Sequence, residues 1–343
     1  MKHKSLLFGL MISLMILAMA LSACATPATP AATEAPAEAP QEQEVAAGAT
    51  SSWPIAQAVK ICWITQLGHP YGVAKTDIAK KEAALFGYTL DVYDMKDIAQ
   101  EIAAIEDCTA KEYDVIALTP YDKTALNSAM KKAREAGIFV IAEGSDLDEE
   151  GMSIVNSLLG SNGVYEGQAA GQLICKALGE SGGNWVMIEG ATGHPLVPQR
   201  GGEAEKWVQE NCPNAVLLGK ETGEWDSAKS RTVMENFLTA YPDQINLVYC
   251  HDGNMCFGAD EAIAEVGQTG KIMVIGINGN KDEYARIKDG RWFGTVLNDA
   301  SWISINLVQR ARDLMENRPI LHEYISPASI ITKENVDSFT AWW

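Results

Sequence analysis

Side chains suited to binding a small polar molecule follow two apolar stretches in the second half of the chain. Asp252 comes directly after residues 247–250, where its carboxylate could accept hydrogen bonds from two ligand hydroxyls. Trp225 follows another apolar stretch, and its ring could stack on the C–H face of a ligand whose hydroxyls bond around the rim. The structural alternatives are that Asp252 caps the next helix and that Trp225 is a core residue.

The first half of the chain carries a second group of polar residues. His69 and Tyr71 follow the first apolar stretch, and Gly144-Ser145-Asp146 follows the fourth. Gly, Ser and Asp are also common turn residues, and a loop histidine can bond the backbone, so a single loop does not identify a site. Because polar loops recur at successive strand ends, we expect one site that is shared by several of them.

The motifs of the common enzyme and metal sites are missing from the sequence. It contains no nucleophile elbow, P-loop or HExxH motif. The segment from Asp146 begins like a calcium loop, but Ser157 stands where a bidentate Glu is required. Cys250, His251 and Cys256 do not have zinc-site spacing. We expect no cofactor, no metal and no catalysis, and the one acid pair that a hydrolase could use is Asp252 with Asp146.

The alternation of short apolar runs with amphipathic stretches predicts an α/β fold with parallel sheets. The pattern occurs twice in succession, which predicts two lobes with a cleft at the carboxyl ends of their strands. The predicted strands are 59–65, 88–93, 114–118 and 138–142, then 185–189, 215–218, 247–250 and 272–277. The predicted helices include 98–111, 165–178, 201–211, 227–241 and 257–266.

The N-terminus has the features of an export signal. Lys2 and Lys4 precede an apolar run that is short for a membrane span, and the run ends in Leu21-Ser22-Ala23-Cys24. That ending resembles the lipobox of bacterial lipoproteins, so we expect a signal peptide over 1–23 and lipidation at Cys24. Residues 24–52 are rich in Ala, Pro, Thr and Glu and predict a disordered tether. The alternative is an uncleaved anchor helix.

Charge and cysteine content limit the partners and the compartment. The formal net charge is −18, which argues against nucleic acid or anionic lipid as a ligand. An even number of cysteines after Cys24 favours disulfides in an exported chain, although several could be small buried apolar residues instead. The sequence does not decide the pairing, and Cys175–Cys212 is our first choice. The six are Cys62, Cys108, Cys175, Cys212, Cys250 and Cys256.

The order of these motifs resembles a known family. Over residues 59 to about 317, the chain is similar to the ribose-binding-protein-like, type I periplasmic binding proteins of sugar ABC transporters. No single motif is specific, but their order and spacing together are. The motifs are Gly68-His69-Pro70-Tyr71, Thr119-Pro120, Ala136-Gly137-Ile138, Ser161-Asn162, Arg200-Gly201, Asp252-Gly253-Asn254 and Ile277-Asn278-Gly279.

The resemblance implies two Rossmann-like lobes that a hinge of three chain crossings joins. We expect the crossings near 158–161, 296–299 and 322–326. The N-terminal lobe is then 53–159 plus about 299–324, and the C-terminal lobe is 160–298 plus about 325–343. Ligand would bind between the lobes and hold them closed.

The resemblance also implies a set of ligand contacts, and this chain departs from the usual family pattern at three positions. Ser145 lies in a turn where sugar binders usually present an Asp-Arg pair, Pro198 stands in place of an Arg, and Asn278 stands where Asp is commonest. Because a buried anion needs a paired cation, these losses favour a neutral ligand. The expected contacts are His69, Tyr71, Ser145, Asp146, Asn162, Trp225, Asp252, Asn278 and Asn298.

The function implied is that of a substrate-binding protein of an ABC importer, which captures a neutral monosaccharide or polyol and is not an enzyme. The expected partners are the sugar, the membrane permease and the membrane itself through the lipid anchor. We expect a monomer on the outer face of the cytoplasmic membrane, in the periplasm or at the cell surface. The alternative is a ligand-sensing subunit that signals to a membrane receptor, as chemotaxis binding proteins do.

Overall fold

The computed structural model describes residues 58–343. The predicted signal peptide, the lipidation site Cys24 and the tether lie outside the described residues. Within the described part, no helix is both long enough and apolar enough to span a bilayer.

The first sheet has six strands, all parallel, in the order β11-β5-β4-β3-β1-β2. With strands and helices numbered separately in chain order, its strands are β1 Lys60–Thr65, β2 Thr89–Asp94, β3 Val115–Leu118, β4 Phe139–Glu143, β5 Ser157–Ser161 and β11 Glu323–Ser326. Helices α1 Pro70–Leu85, α2 Ile98–Ala110, α3 Asn127–Glu135, α4 Glu149–Ile154 and α10 Ala300–Met315 pack around it.

The second sheet also has six strands, in the order β12-β10-β9-β8-β6-β7, and only the edge strand β12 is antiparallel. Its strands are β6 Gly183–Glu189, β7 Ala215–Thr222, β8 Leu247–Cys250, β9 Met273–Asn278, β10 Gly294–Leu297 and β12 Ile330–Thr332. Helices α5 Gly163–Leu178, α6 Glu203–Asn211, α7 Ser227–Ala240, α8 Gly253–Glu265 and α9 Lys281–Asp289 cover it, and a π-turn at Pro198–Gly202 precedes α6.

Each sheet is buried on both faces, as parallel sheets normally are. The four residues of β3 and the four of β8 are all buried, which explains why these strands are continuous apolar runs. Apolar clusters lie on both sides of each sheet. The predicted fold class is confirmed.

The chain passes from one sheet to the other three times. It crosses after β5, between β10 and α10, and between β11 and β12. The segments near which we expected the crossings overlap the short strands β5, β10 and β11, and the third crossing follows Ser326. These strands pair at the edge of a sheet or next to one, and the sequence gives them no long apolar run.

Among the strands that the sequence predicts, the edge strand β7 differs most in length between prediction and structure. It continues to Thr222 rather than ending at residue 218. Most of its residues are partly or fully exposed, so polar side chains such as Lys220 and Glu221 are tolerated within it. Hydropathy therefore marks only its first half.

Two disulfides stabilise the lobes, one in each. Cys175–Cys212 joins α5 to the residue after α6, which confirms the predicted pair. Cys62–Cys108 joins β1 to α2 and was not predicted. Cys250 and Cys256 remain as buried thiols.

Loss of the second-lobe disulfide should destabilise the protein measurably. The Cys175→Ser/Cys212→Ser variant removes a crosslink between residues 37 apart, which the chain-entropy model values at about 3 to 4 kcal/mol of unfolding free energy. Urea denaturation followed by circular dichroism measures the loss. In the parent without Cys24, denatured but unreduced, only Cys250 and Cys256 should react with a thiol reagent. Reaction of all six thiols would contradict both disulfides.

Candidate functional site

A cavity lies between the carboxyl ends of the two sheets, as the topology predicts. The cavity has a volume of about 90 Å³. Seven of the nine expected contacts line it: His69, Tyr71, Ser145, Trp225, Asp252, Asn278 and Asn298. The other lining residues are Thr65, Gln66, Gly72, Lys75, Thr119, Gly144, His194, Leu196 and Arg200.

His69 and Asp252 meet across the cavity from opposite lobes. His69 Nε2 lies 2.6 Å from Asp252 Oδ2. His69 Nδ1 accepts a hydrogen bond from the Tyr71 amide at the start of α1, and Asp252 Oδ1 accepts one from the Met255 amide at the start of α8. Each residue therefore caps a helix while its side chain lines the cavity, so the structural role is compatible with a ligand contact. The ligand contact itself stays a prediction.

Tyr71 makes a second bridge between the lobes. Its hydroxyl donates to Asn298 Oδ1 at 2.9 Å, and Asn298 Nδ2 is 3.4 Å from Asn278 Oδ1. Burial, reinforced by the nearby Glu143 carboxylate, raises the pKa of Tyr71 well above its ordinary value. The hydroxyl therefore stays protonated and remains a donor at neutral pH.

Trp225 forms an aromatic wall on the second lobe. Its backbone is in the left-handed region at φ 61°, and its ring lies over Gly190, where a Cβ would collide with it. His194 packs edge-on at 5.3 Å between ring centroids. Burial, helped by the Arg200 guanidinium, lowers the pKa of His194 to about 4. The wall is therefore aromatic and carries no charge from His194 at neutral pH.

Two buried cations, which the sequence analysis missed as site residues, also line the cavity. Lys75 Nζ is 2.6 Å from Glu143 Oε1 in the first lobe, and Arg200 Nε is 2.7 Å from Glu166 Oε2 in the second. All four side chains are nearly inaccessible to solvent. Of these four residues, only Lys75 and Arg200 line the cavity. The cations inferred to be missing at other positions are thus supplied here, each neutralised by a carboxylate behind it.

A sequence signal existed for each of these cations. Lys75 lies four residues after Tyr71, so the two occupy one face of α1. Arg200 belongs to the Arg200-Gly201 motif that we used only for the resemblance. A lysine or arginine in an amphipathic segment is normally solvated, which is why neither was expected to line the cavity.

Two expected contacts, Asp146 and Asn162, lie outside the cavity lining. The Asp146 carboxylate accepts a hydrogen bond from the Gln199 side chain of the opposite lobe. Asn162 caps α5 by accepting from the Tyr165 amide at 3.1 Å. In the structure Asp146 therefore bridges the two lobes, and Asn162 starts a helix. A ligand contact for either residue stays a prediction.

The residues considered for a metal have other partners. The Cys256 thiol donates to the Ile275 carbonyl, and His251 Nδ1 accepts from the Gly190 amide. Asp148, within the segment that begins like a calcium loop, caps α4 through the Gly151 amide. Within residues 58–343, no three His, Cys, Asp or Glu side chains are grouped so that they could hold a metal ion.

Glu283 supports the second-lobe loops from behind. Its Oε1 accepts from the Gly279 and Asn280 amides, and its Oε2 accepts from the Thr295 hydroxyl. Burial raises the pKa of Glu283 to about 8, although these hydrogen bonds act in the opposite direction. Asn278, which precedes this loop, has φ 128° and is held next to the supported amides. Sequence reasoning missed Glu283 because it resembles an ordinary first-turn glutamate.

Comparisons with known proteins agree with this geometry. Residues 64–319 match a family described as a periplasmic binding protein domain. The ribose import binding protein of Salmonella typhimurium is 29% identical over 273 residues, which cover 79% of this chain and 89% of that protein. The galactofuranose-binding protein of Escherichia coli is 29% identical over 252 residues, which cover 71% of this chain and 78% of that protein.

Solved structures share the fold. An Actinobacillus succinogenes solute-binding protein with bound D-allose matches with a TM-score of 0.77 at 24% identity, covering 82% of this chain and 100% of that one. The Caulobacter myo-inositol-binding protein matches with a TM-score of 0.76 at 22% identity, covering 81% of this chain and 94% of that one.

Glu283 should make stability depend on pH. Its pKa is raised from the ordinary 4.5 to about 8, so its contribution is fully present below about pH 4.5 and is lost as the pH rises through 8. Glu283→Gln, which mimics the protonated acid, should match the parent near pH 4. Near pH 8 it should be more stable by no more than about 5 kcal/mol, at about 1.4 kcal/mol per pKa unit.

Urea denaturation of parent and variant at the two pH values measures this difference. The comparison cancels the similar contribution of Glu101, whose pKa burial also raises to about 8. A difference in stability that does not change with pH would show that Glu283 is ionised in the folded protein.

Proposed function

The chain belongs to the periplasmic binding protein domain family, and on that premise we propose that it is the substrate-binding protein of an ABC importer for a neutral monosaccharide or polyol. The family consists of binding proteins for membrane transport and not of enzymes. The cavity accordingly supplies recognition groups, and the membrane permease is the partner to which the loaded protein delivers its ligand.

The compensated charge of the cavity is the observation that carries the proposal. Lys75 and Arg200 are each neutralised by a buried glutamate at 2.6 and 2.7 Å, and the remaining lining carboxylate, Asp252, is next to His69. Among the described residues that line the cavity, Lys75 and Arg200 therefore leave no uncompensated positive charge for an anionic ligand. A buried anion without a partner would be strongly disfavoured, so a neutral ligand fits best.

The arrangement of aromatic and polar groups supports a sugar or a polyol. Trp225 offers a flat apolar surface on one side, and Asp252, Asn278 and Asn298 offer acceptors and amide donors around it. Sugars have an apolar C–H face and a rim of hydroxyls that fit such a pair of surfaces. The similar proteins are named for, or hold, ribose, allose, galactofuranose and myo-inositol, which are of this chemical class.

Binding between the lobes would stabilise a closed state. The structure already has direct contacts across the cleft, a close approach of His69 to Asp252 and a hydrogen bond from Tyr71 to Asn298. A ligand that contacts both lobes adds further contacts between them, so it shifts the equilibrium towards closure. We propose the lobes as 53–159 plus about 299–324 and 160–298 plus about 325–343.

We also propose export and lipid anchoring from the N-terminal sequence and the family. Periplasmic relatives imply secretion. The proposed signal peptide ends at residue 23, and Cys24 carries the lipid that holds a monomer at the outer face of the cytoplasmic membrane. The tether of 24–52 then leaves the binding body free to reach the permease.

Asp252→Ala should weaken sugar binding about 10- to 150-fold, because it removes a charged acceptor worth about 1.5–3 kcal/mol. Asp226→Ala is the matched control: Asp226 caps α7 at 2.8 Å as Asp252 caps α8 at 2.8 Å, but it does not line the cavity. Titration calorimetry with ribose, allose and myo-inositol measures both. Equal affinity of the two variants would remove Asp252 from the site.

Trp225→Ala should weaken binding by a comparable factor through lost stacking area, and ligand should change the tryptophan fluorescence of the parent. Raising the salt concentration should change the affinity little, because a neutral ligand has no charge to be screened. A steep dependence on salt would show that the ligand is charged.

The anchor has its own test. Cys24→Ala should abolish incorporation of labelled palmitate into the protein when it is expressed in a bacterial host. A Cys250→Ala variant, which removes a buried cysteine instead, should still be labelled. Undiminished labelling of the Cys24 variant would contradict the lipobox.

A further inference from the structure

Lys75 has an unusual environment for a lysine in a neutral binding cavity. Its side chain is 3% exposed, and its ammonium is 2.6 Å from Glu143 Oε1. The same ammonium lies 5.1 Å from the centroid of the Tyr71 ring and 5.4 Å from that of Trp63. Two aromatic rings and a carboxylate therefore enclose it on the protein side.

The hydrogen bonds of this ammonium are incompletely used. An ammonium carries three N–H donors, and Glu143 accepts one of them. The Lys75 side chain lines the cavity, so a molecule in the cavity could accept hydrogen bonds from the unused N–H donors. Ser145 lines the same cavity with a buried hydroxyl that has no partner among residues 58–343.

The carboxylate behind Lys75 explains how a cation can serve a neutral ligand. Glu143 is fully buried and does not line the cavity, and it also accepts from the Thr119 hydroxyl. It cancels the charge of Lys75 without occupying ligand space. What remains for the ligand is a strong N–H donor with no net charge around it.

We propose that Lys75 determines specificity by donating a hydrogen bond to one oxygen of the bound sugar or polyol, with Glu143 as its neutralising partner. The inference rests on the proposed function and adds to it. It predicts that the ligand is selected for an acceptor oxygen at this point and that an analogue lacking that oxygen is rejected, because the buried donors would then stay unpaired.

The test replaces the pair as a unit. Lys75→Met alone would leave Glu143 buried without a partner and would confuse folding with binding. Lys75→Met/Glu143→Leu removes both charges and replaces the two side chains by apolar ones of similar volume. The free energy of unfolding of this variant should be close to that of the parent or higher. Titration with D-ribose, D-allose and myo-inositol should show an affinity about 10- to 150-fold lower than that of the parent for whichever of the three the parent binds.

Lys176→Met/Glu334→Leu is the control, because it removes an ion pair of the same type whose side chains are 48% and 75% exposed. Its affinity should equal that of the parent. If the cavity pair variant does not fold, Lys75→Gln/Glu143→Gln keeps polar groups of similar volume, and its shorter side chain should also cost at least about tenfold.

Monodeoxy forms of the same sugars locate the contact. One deoxy form should bind the parent more weakly than the full sugar does. The same deoxy form and the full sugar should bind the pair variant with equal affinity. A folded pair variant that binds like the parent would overturn the role of Lys75. A parent that binds no member of a wider panel of neutral pentoses, hexoses and polyols would contradict the proposed function itself and this inference with it.

Discussion

Pairing of buried charges governs the chemistry of the cavity. Lys75 and Arg200 lie where water is scarce, and each is tolerated because a glutamate lies within 2.7 Å. Removing one partner from such a pair typically costs about 3–5 kcal/mol, since the other charge stays buried alone. Each cation thus depends on its own glutamate partner, and the same pairing gives the ligand strong donors without a net positive field.

The recognition side chains are held rigidly because they also start helices. His69 and Asp252 each bond the first turn of a helix, so their positions are fixed by backbone and not by side-chain packing alone. The segment at the end of the described chain adds to this order. Trp343 packs edge-on against Tyr71 at 5.7 Å, and its carbonyl accepts from the Lys281 amide of the second lobe. Contacts from both lobes therefore converge on Tyr71.

The sequence predicted the central strands. It also placed nine residues at the expected site, and seven of them line the cavity, because strands and strand-end residues both follow from simple patterns. Central parallel strands such as β3 and β8 are uninterrupted apolar runs, and the polar residues after them must meet at one edge. Short edge strands such as β12, three residues long and antiparallel, carry no such pattern. Lys75 and Glu283 were missed because burial, which gives each its role, is a property of the packed chain. The Cys62–Cys108 pair was one choice among many and needed the fold to be known.

The central claim is that the closed cavity holds one small neutral polyhydroxylated molecule, and native mass spectrometry of the protein purified from its own cells tests it most directly. The spectrum should show one bound molecule per chain, and denaturation should release an intact neutral monosaccharide or polyol. Release of an anionic compound, a peptide or a nucleotide would contradict the account, because the lining residues within 58–343 include no uncompensated lysine or arginine to hold one.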